Sequence, residues 1–383
     1  LGGHVNGLSI VRELSASGVK NIGLLTSGFS IAQYSNKVVY HANIDLQYSD
    51  LVLELKKIRD SYKYIVIYPT DDKFLETLAK NYDQLMDFCF LPFNKDNLEK
   101  TLDKSHQYEV CEGLDIPYPK TIVVHKSVTL DELKDLQFPI LIKPALRYDE
   151  SRAIFRNKLV KSISELKNIL IEIDPYLKDQ LKFIFSEYIP GNDSNIFSYS
   201  CFISREGNVL NEWVGKKLSQ HPDQYGVFAS ASNEASDEVV KIGRRLAEGL
   251  NAVGYIQPEF KFDDRDCRYK LMEVNLRPMM WNRVGFLSGV SLHLTQFEYA
   301  TKTPVTNFFQ YRSSQKKLVL MLHEIPNLII RPGYMRTFYR NIFGEGDIGW
   351  AIFDPKDILP FIASLRLFFI KGVGACLKRC GLR

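Results

Sequence analysis

Long apolar runs are missing from this 383-residue sequence: no stretch of 18 uncharged apolar residues occurs, so no transmembrane helix is predicted. The six cysteines (89, 111, 201, 267, 376, 380) include no C-x-x-C pair, and the seven histidines no H-x-x-x-H pair. A zinc site or a disulfide framework is therefore not expected, and a reducing compartment is. Glycine (23) and proline (16) are too sparse for collagen-like or low-complexity character, and no internal repeat stands out. No basic-then-apolar leader opens the chain, so nothing points to secretion; it starts at Leu1 rather than Met, so a few upstream residues are expected to be missing.

What is present suits a soluble globular enzyme. The chain is 45% hydrophobic and 25% charged, too apolar for disorder. Its length implies two to three domains at roughly 100–200 residues each. The net charge of +4 is unevenly spread. Residues 302–383 carry thirteen Lys+Arg against five Asp+Glu, a local +8, which leaves −4 for residues 1–301. No acidic residue follows Asp357. The last segment therefore reads as a separate layer suited to an anionic surface.

Residues 1–93 read as alternating strands and helices: helix 8–17, strand 22–25, helix 51–61, strand 64–68, helix 74–81. That alternation implies a parallel sheet with helices on its faces. Residues 94–115 carry a helical pattern, followed by strand 121–124, helix 130–136 and strand 138–143. Beyond residue 162 come a helix at 164–171, strands 183–189, 196–203 and 209–214, a long helix 238–250, and strands 255–262 and 269–276. The second half is thus α+β with antiparallel hairpins.

The last hairpin carries the chemistry. A turn centred on Asp266 sets Glu259 opposite Glu273. Alternation along each strand then gathers Glu259, Lys261, Glu273, Asn275 and Arg277 on one face. Ile256, Phe260, Phe262, Met272, Val274 and Leu276 fall on the other, apolar face. Two like charges at cross-strand distance repel. A hard cation between them removes the conflict, and Mg²⁺ takes one or two carboxylates plus water or phosphate oxygens. The alternative is that the glutamates are solvated or paired with Lys261 and Arg277.

Other pieces are weaker alone. Lys143 ends the apolar strand Phe138-Pro-Ile-Leu-Ile-Lys143-Pro144, where a fixed ammonium suits a phosphate oxygen. The strand Phe185-Ser-Glu-Tyr-Ile-Pro-Gly breaks beside Glu187 and Asp193, exposing backbone groups that could read an adenine edge. Gly215-Lys216-Lys217-Leu-Ser-Gln-His221-Pro222 reads as a loop leaving the Trp213 strand, able to receive an anionic acceptor or simply solvated. Trp281, Asn282 and Arg283 could line an acceptor pocket, or the Trp could be core. Gly2, Gly3 and Gly7 resemble an anion cradle at a helix N-terminus, without G-x-G-x-x-G spacing. Asp71 and Asp72 sit after a strand end where a ligand would; for one of them a helix N-cap is favoured.

The order of these pieces resembles the ATP-grasp superfamily, in its carboxylate–amine ligase and predicted carboligase branch, which includes D-aspartate ligase-like enzymes. The ordered set is Asp103-Lys104, Ile-Pro-Tyr-Pro-Lys-Thr, Phe-Pro-Ile-Leu-Ile-Lys-Pro, Ser-Glu-Tyr-Ile-Pro-Gly, Pro-Glu-Phe-Lys-Phe-Asp and Met-Glu-Val-Asn-Leu-Arg-Pro, running over about residues 1–305. The resemblance implies an α/β and α+β multidomain chain: an N-terminal parallel α/β domain (1–93), the ATP-grasp small subdomain (94–185), its C-terminal subdomain with the metal site (186–305), and a basic C-terminal extension (306–383). It further implies that Lys104 and Lys143 hold ATP phosphates and that Glu187, Tyr188 and Ile189 form the adenine hinge. Asp193 is implied near the ribose, Glu259, Glu273 and Asn275 as ligands of Mg²⁺ (or Mn²⁺), and Arg277 as the contact to the γ-phosphate or an acyl phosphate. One departure is plain: residues 145–158, where relatives often carry a glycine-rich flap, contain no glycine but hold Arg147, Arg152, Arg156 and Lys158, which leaves Lys158 as a phosphate contact.

The expected reaction is ATP-dependent: a carboxylate becomes an acyl phosphate and is joined to an amine of amino-acid or amino-sugar type, with Lys143 and Arg277 as catalytic groups and Lys216, Lys217, His221 and Arg283 on the substrate side. The alternatives are a carboxylase working through carboxyphosphate, or a non-catalytic nucleotide-binding protein at a membrane. No nucleic-acid partner is expected. The expected setting is cytoplasmic, at the inner face of the membrane if the basic tail 361–383 docks on anionic lipid near envelope or glycan-linked substrates. Intramolecular packing or a homodimer contact is the other reading of that tail.

Overall fold

The computed structural model describes residues 1–45, 50–146, 153–223 and 226–368. It divides into two compact units, neither continuous in sequence. The first gathers Leu1–Pro92, Leu210–Glu234 and Arg277–Arg383; the second gathers Phe93–Val209 and Ala235–Leu276. Among the described residues no helix is long and apolar enough to cross a membrane. Most of the tail, residues 369–383, and the flap arginines Arg147 and Arg152 lie outside the described residues.

In the first unit the expected parallel pairing appears as two pairs: Gly23–Thr26 with Tyr40–Asn43, and Ile65–Val66 with Cys89–Phe90. Leu1 and Gly2 run between them. The Gly2 N–H donates to the Leu25 carbonyl at 2.8 Å, and the Thr70 N–H to the Leu1 carbonyl at 3.0 Å. The Leu1 nitrogen donates to the Tyr68 carbonyl at 2.7 Å. A cavity of about 850 Å³, lined by Ile10, Leu24, Ile65, Ile67 and Phe297 among others, adjoins that bridge. The glycines there serve close approach. Gly2 has φ +84°, and a Cβ on Gly7 would stand 2.4 Å from the Gly2 carbonyl oxygen.

The helix Val5–Ala16 opens this unit and is buried along most of its length. From it, Arg12 reaches the segment after residue 350. Nε donates to Asp357 Oδ2 at 2.9 Å, and two further bonds run to the Ile352 and Asp357 carbonyls. Ser35 Oγ and the Asn36 N–H also donate to the Asp357 carboxylate. The last acidic residue of the chain is thus a buried anchor, and part of the basic extension folds with residues 1–92.

Also in this unit, Val209–His221 pairs antiparallel with Val227–Ser232, which pairs antiparallel with Lys316–Val319, which pairs parallel with Asp347–Trp350. This corrects the loop expected from Gly215 to Pro222: the strand continues through Lys216 and Lys217 as far as His221. Its polar residues find partners supplied more than a hundred positions later. Ser219 Oγ donates to Glu324, and His221 Nδ1 lies 2.7 Å from Asn327 Oδ1.

The second unit holds two antiparallel arrays. One has the order Thr121–Val124, Phe183–Glu187, Ile140–Pro144, Lys158–Val160. Its core, with Ile140, Ile142, Val160, Phe183 and Phe185, is covered by the helix Ile163–Lys178. Leu166, Ile169, Ile173 and Leu177 bury one helical stripe of that helix. It runs seven residues past the end expected at 171, carrying Pro175 in its last turns. The helix expected at 130–136 is only a 3₁₀ turn, Asp131–Leu133. The other array is Ile196–Ile203, Gly254–Asp263 and Arg268–Asn275, packed under the helix Asp237–Gly249.

Replacing Arg12 with Leu leaves the Asp357 carboxylate buried without its cation, which costs about 3–5 kcal/mol. Urea unfolding followed by circular dichroism should show a correspondingly lower midpoint; an unchanged midpoint would mean that Asp357 does not anchor the extension.

Candidate functional site

The antiparallel register places Glu259 directly opposite Glu273 and Gln257 directly opposite Asn275. These four residues share one face of the sheet because alternation is unbroken between 257 and 259 and between 273 and 275. Glu259 and Asn275 are buried and Glu273 is half-buried. The amide nitrogen of Asn275 donates to Glu273 Oε1 at 3.3 Å, which keeps its oxygen as the donor atom for a cation. Two carboxylates and an amide oxygen, gathered where water is scarce, match the hard-oxygen set that Mg²⁺ or Mn²⁺ accepts. Among the described residues no group of three or more His, Cys, Asp or Glu side chains is arranged to hold a metal, so a cation here would rest on this mixed set.

A β-bulge separates this face from the hairpin tip. After Glu259/Glu273 the register shifts, and Phe260 stands opposite Leu271 rather than Met272. Leu271 therefore takes the core place that simple alternation assigns to Met272, and Met272 is only half-buried. Its carbonyl receives Tyr108 Oη at 3.1 Å and Lys143 Nζ at 3.1 Å. At the tip, Arg265 and Lys270 hold the Asp263 carboxyl well below the usual carboxylate range.

The two lysines implied for phosphate meet at the end of the strand Ile140–Pro144. Lys143 lies within 3.5 Å of Tyr108 Oη as well as on Met272. Lys104, the first residue of the helix Lys104–Gly113, directs Nζ at the Pro144 and Ala145 carbonyls, 3.4 and 3.5 Å away. Asp103 caps that helix by accepting the Ser105 N–H. Lys158 is exposed, on the strand next to the one bearing Lys143.

The hinge is partly committed to its own sheet. The Glu187 N–H donates to the Lys120 carbonyl and the Tyr188 N–H to the Pro139 carbonyl, both at 2.9 Å. Glu187 Oε1 accepts the Gln137 N–H. Lys261 Nζ donates to the Ile189 carbonyl at 2.8 Å and lies 4.9 Å above the Tyr188 ring. Asp193 is buried at the head of a short 3₁₀ turn.

In the first unit Arg277 forms a two-pronged pair with Asp72, Nε to Oδ1 and Nη2 to Oδ2 at 3.0 Å each. Asp71, beside it, is the N-cap of Asp72–Lys80 and accepts the Phe74 N–H. Asp71 thus has the N-cap role expected for one of the two acids. Lys216 pairs with Glu234, and Lys217 is buried. Trp281 is core, edge-on to Trp213 at 5.8 Å. Arg283 opens the helix Arg283–Leu287; burial, with Arg12 nearby, lowers its pKa, and its buried Nη1 has no hydrogen-bond partner among the described residues.

Sequence reasoning missed Gln107 and Tyr108. Gln107 is buried, accepts the Val274 N–H at 2.9 Å, and donates to the Val274 carbonyl at 3.3 Å and the Thr101 carbonyl at 2.9 Å. It fixes the strand that carries Glu273 and Asn275. Burial and the nearby Glu273 carboxylate push the Tyr108 phenol above its ordinary pKa, so it remains a proton donor. Their only signal was position, three and four residues after Lys104 on one helix.

No family model matches the sequence. The chain is 25% identical to D-aspartate ligase of Enterococcus faecium over 333 residues, 82% of this chain and 78% of that protein. It is similar in structure to the ADP complex of N5-carboxyaminoimidazole synthetase from Staphylococcus aureus, with a TM-score of 0.62 and 14% identity, covering 82% of this chain and 79% of the other. It is also similar to L-amino acid ligase from Bacillus licheniformis, with a TM-score of 0.58 and 14% identity over 80% and 75% of the two chains. The fold is the ATP-grasp fold, and the D-aspartate ligase-like resemblance read from the motifs is borne out.

Replacing Gln107 with Leu strips the Val274 N–H and carbonyl of a buried partner. The expected loss of stability is about 1–3 kcal/mol, read from a thermal melt. Divalent-cation affinity, read by isothermal titration with Mn²⁺, should fall as well. A variant that melts earlier but binds Mn²⁺ like the wild type would show that Gln107 does not position the acidic face.

Proposed function

We propose that this chain, built on the ATP-grasp fold, is an ADP-forming carboxylate–amine ligase. The observation that carries the reading is the cross-strand opposition of Glu259 and Glu273, beside Asn275, in the same unit as Lys143 and Lys104. A substrate carboxylate oxygen attacks the γ-phosphorus of ATP, ADP leaves, and an acyl phosphate forms. An amine nitrogen then attacks the acyl carbon, inorganic phosphate leaves, and the nitrogen sheds a proton. Mg²⁺ held by Glu259, Glu273 and Asn275 would supply charge neutralisation for the triphosphate.

The protein's own groups do the positioning. An ammonium has three donors, so Lys143 can keep its bond to Met272 and still offer N–H groups to a phosphate oxygen. Lys104 can do the same from the Pro144 and Ala145 carbonyls. Lys158 and Arg277 are further phosphate contacts; Asp72 occupies two of the five donors of Arg277 and fixes its plane. Adenine meets the hinge 187–189 through groups other than the two N–H already paired, and Asp193 takes the ribose. On the acceptor side the orphan Arg283 Nη1 is a donor for a substrate anion, with Lys216, Lys217 and His221 as further candidates. The similarity to D-aspartate ligase supports an amino acid among the substrates. The reading places the reaction in the cytoplasm.

The test is ADP release with single acids and acid–amine pairs, D- and L-aspartate included. Release should require a carboxylate and rise with an amine; release that depends on bicarbonate instead would favour a carboxylase. Glu273→Gln should lower turnover at least about 100-fold while leaving the circular dichroism spectrum unchanged. Wild-type turnover by that variant would overturn the metal assignment.

A further inference from the structure

The helix Met335–Phe343 packs on its own unit through buried Asn341 and half-buried Phe338 and Ile342. Tyr334, just before it, donates to Glu324 Oε2 at 2.8 Å, and buried Asn341 donates to Ser219 Oγ at 3.2 Å and to Glu324 Oε1 at 3.4 Å. The side turned to solvent carries an apolar stripe. Met335, Tyr339 and Phe343, spaced by four residues on one stripe, are 64, 64 and 66% exposed. The Tyr339 and Phe343 rings pack together, centroids 5.3 Å apart. Ile329 and Ile330, at the end of the preceding helix Met321–Ile330, are 79 and 67% exposed. Exposed large side chains so closely grouped mark an interaction surface rather than scattered surface apolars.

Charge selects the partner. Residues 321–343 hold three arginines, 331, 336 and 340, and one carboxylate, Glu324. That carboxylate is fully buried, bonded to Ser219, Ser230 and Tyr334. Arg331 pairs with Asp223 at 2.7 Å, whereas Arg336 and Arg340 are exposed beside the apolar stripe, each one position on from Met335 and Tyr339 and so roughly 100° round the helix. The next exposed acid is Glu345, beyond the helix end. A second copy meeting this face across a two-fold axis would set arginine against arginine with no acid to pair them. An anionic bilayer suits both features at once. Apolar side chains enter the boundary between headgroups and chains, an aromatic ring with a hydroxyl sits at that depth, and arginines meet the phosphates.

We propose that the face formed by Met335, Tyr339, Phe343, Ile329 and Ile330, flanked by Arg336 and Arg340, docks this protein on an anionic lipid surface. The helix lies in the interface plane and does not cross the membrane. This contact is separate from any made by residues 369–383 and does not depend on the ligase reading.

The experiment is co-sedimentation of the full chain with phosphatidylcholine vesicles and with vesicles containing 30% phosphatidylglycerol, at low and high salt. Partitioning should be about tenfold stronger on the anionic vesicles and should weaken with salt. The triple variant Met335→Ser, Tyr339→Ser, Phe343→Ser should lose about tenfold or more of it, and so should Arg336→Glu with Arg340→Glu; circular dichroism and a thermal melt report on folding. Absence of wild-type partitioning, or variants that partition like the wild type because the C-terminal tail alone binds, would overturn the proposal. So would light scattering that shows a dimer in the wild type and a monomer in the triple variant.

Discussion

The candidate site depends on an unfavourable contact. Glu259 and Glu273 face each other across an antiparallel pair, where like charges repel. Burial of Glu259 makes the repulsion worse, because less water screens it. The surrounding structure keeps the two in place regardless. Gln107 holds the backbone of the second strand, the Asp263 cluster ties the hairpin tip, and Lys143 and Tyr108 converge on the Met272 carbonyl. A scaffold that commits this many polar contacts to keeping two carboxylates together does so against its own stability. That is the expectation for a functional site, where local rules are broken and supported from outside.

The hairpin was the most legible part of the sequence because its signals are local. Turn position, strand alternation and the identity of four side chains all lie within twenty-two residues, 256–277. The bulge was not legible, since nothing in Leu271-Met272 announces an extra residue. The polar stretch 215–221 was misread as a loop for a different reason. Its strand is stabilised by Glu324 and Asn327, which no local pattern can supply. The pairing of Arg277 with Asp72 spans 205 positions and was equally invisible, although an N-cap role for one of Asp71 and Asp72 was anticipated and falls to Asp71. The ordered motifs carried the architecture because each reports a fixed place in one fold.

Charge asymmetry turned out to have two structural meanings. Part of the basic C-terminal segment is woven into the first unit through Asp357, whose partners Arg12, Ser35 and Asn36 all come from the first forty residues. Another part leaves arginines outward beside exposed apolar side chains. Net charge alone did not separate the two; burial did.

The bulge at Met272 has a bearing on how this hairpin can vary. Side chains alternate with a period of two, so the phase of each strand decides which residues join the acidic face and which enter the core. The extra residue resets that phase between the tip and the acidic pair. Substitutions within 260–272 alter one side chain each, whereas a one-residue insertion or deletion there would turn Glu273 and Asn275 toward the core and bring Val274 outward. Among descendants of this chain, loop length in the hairpin should therefore drift far less than loop composition.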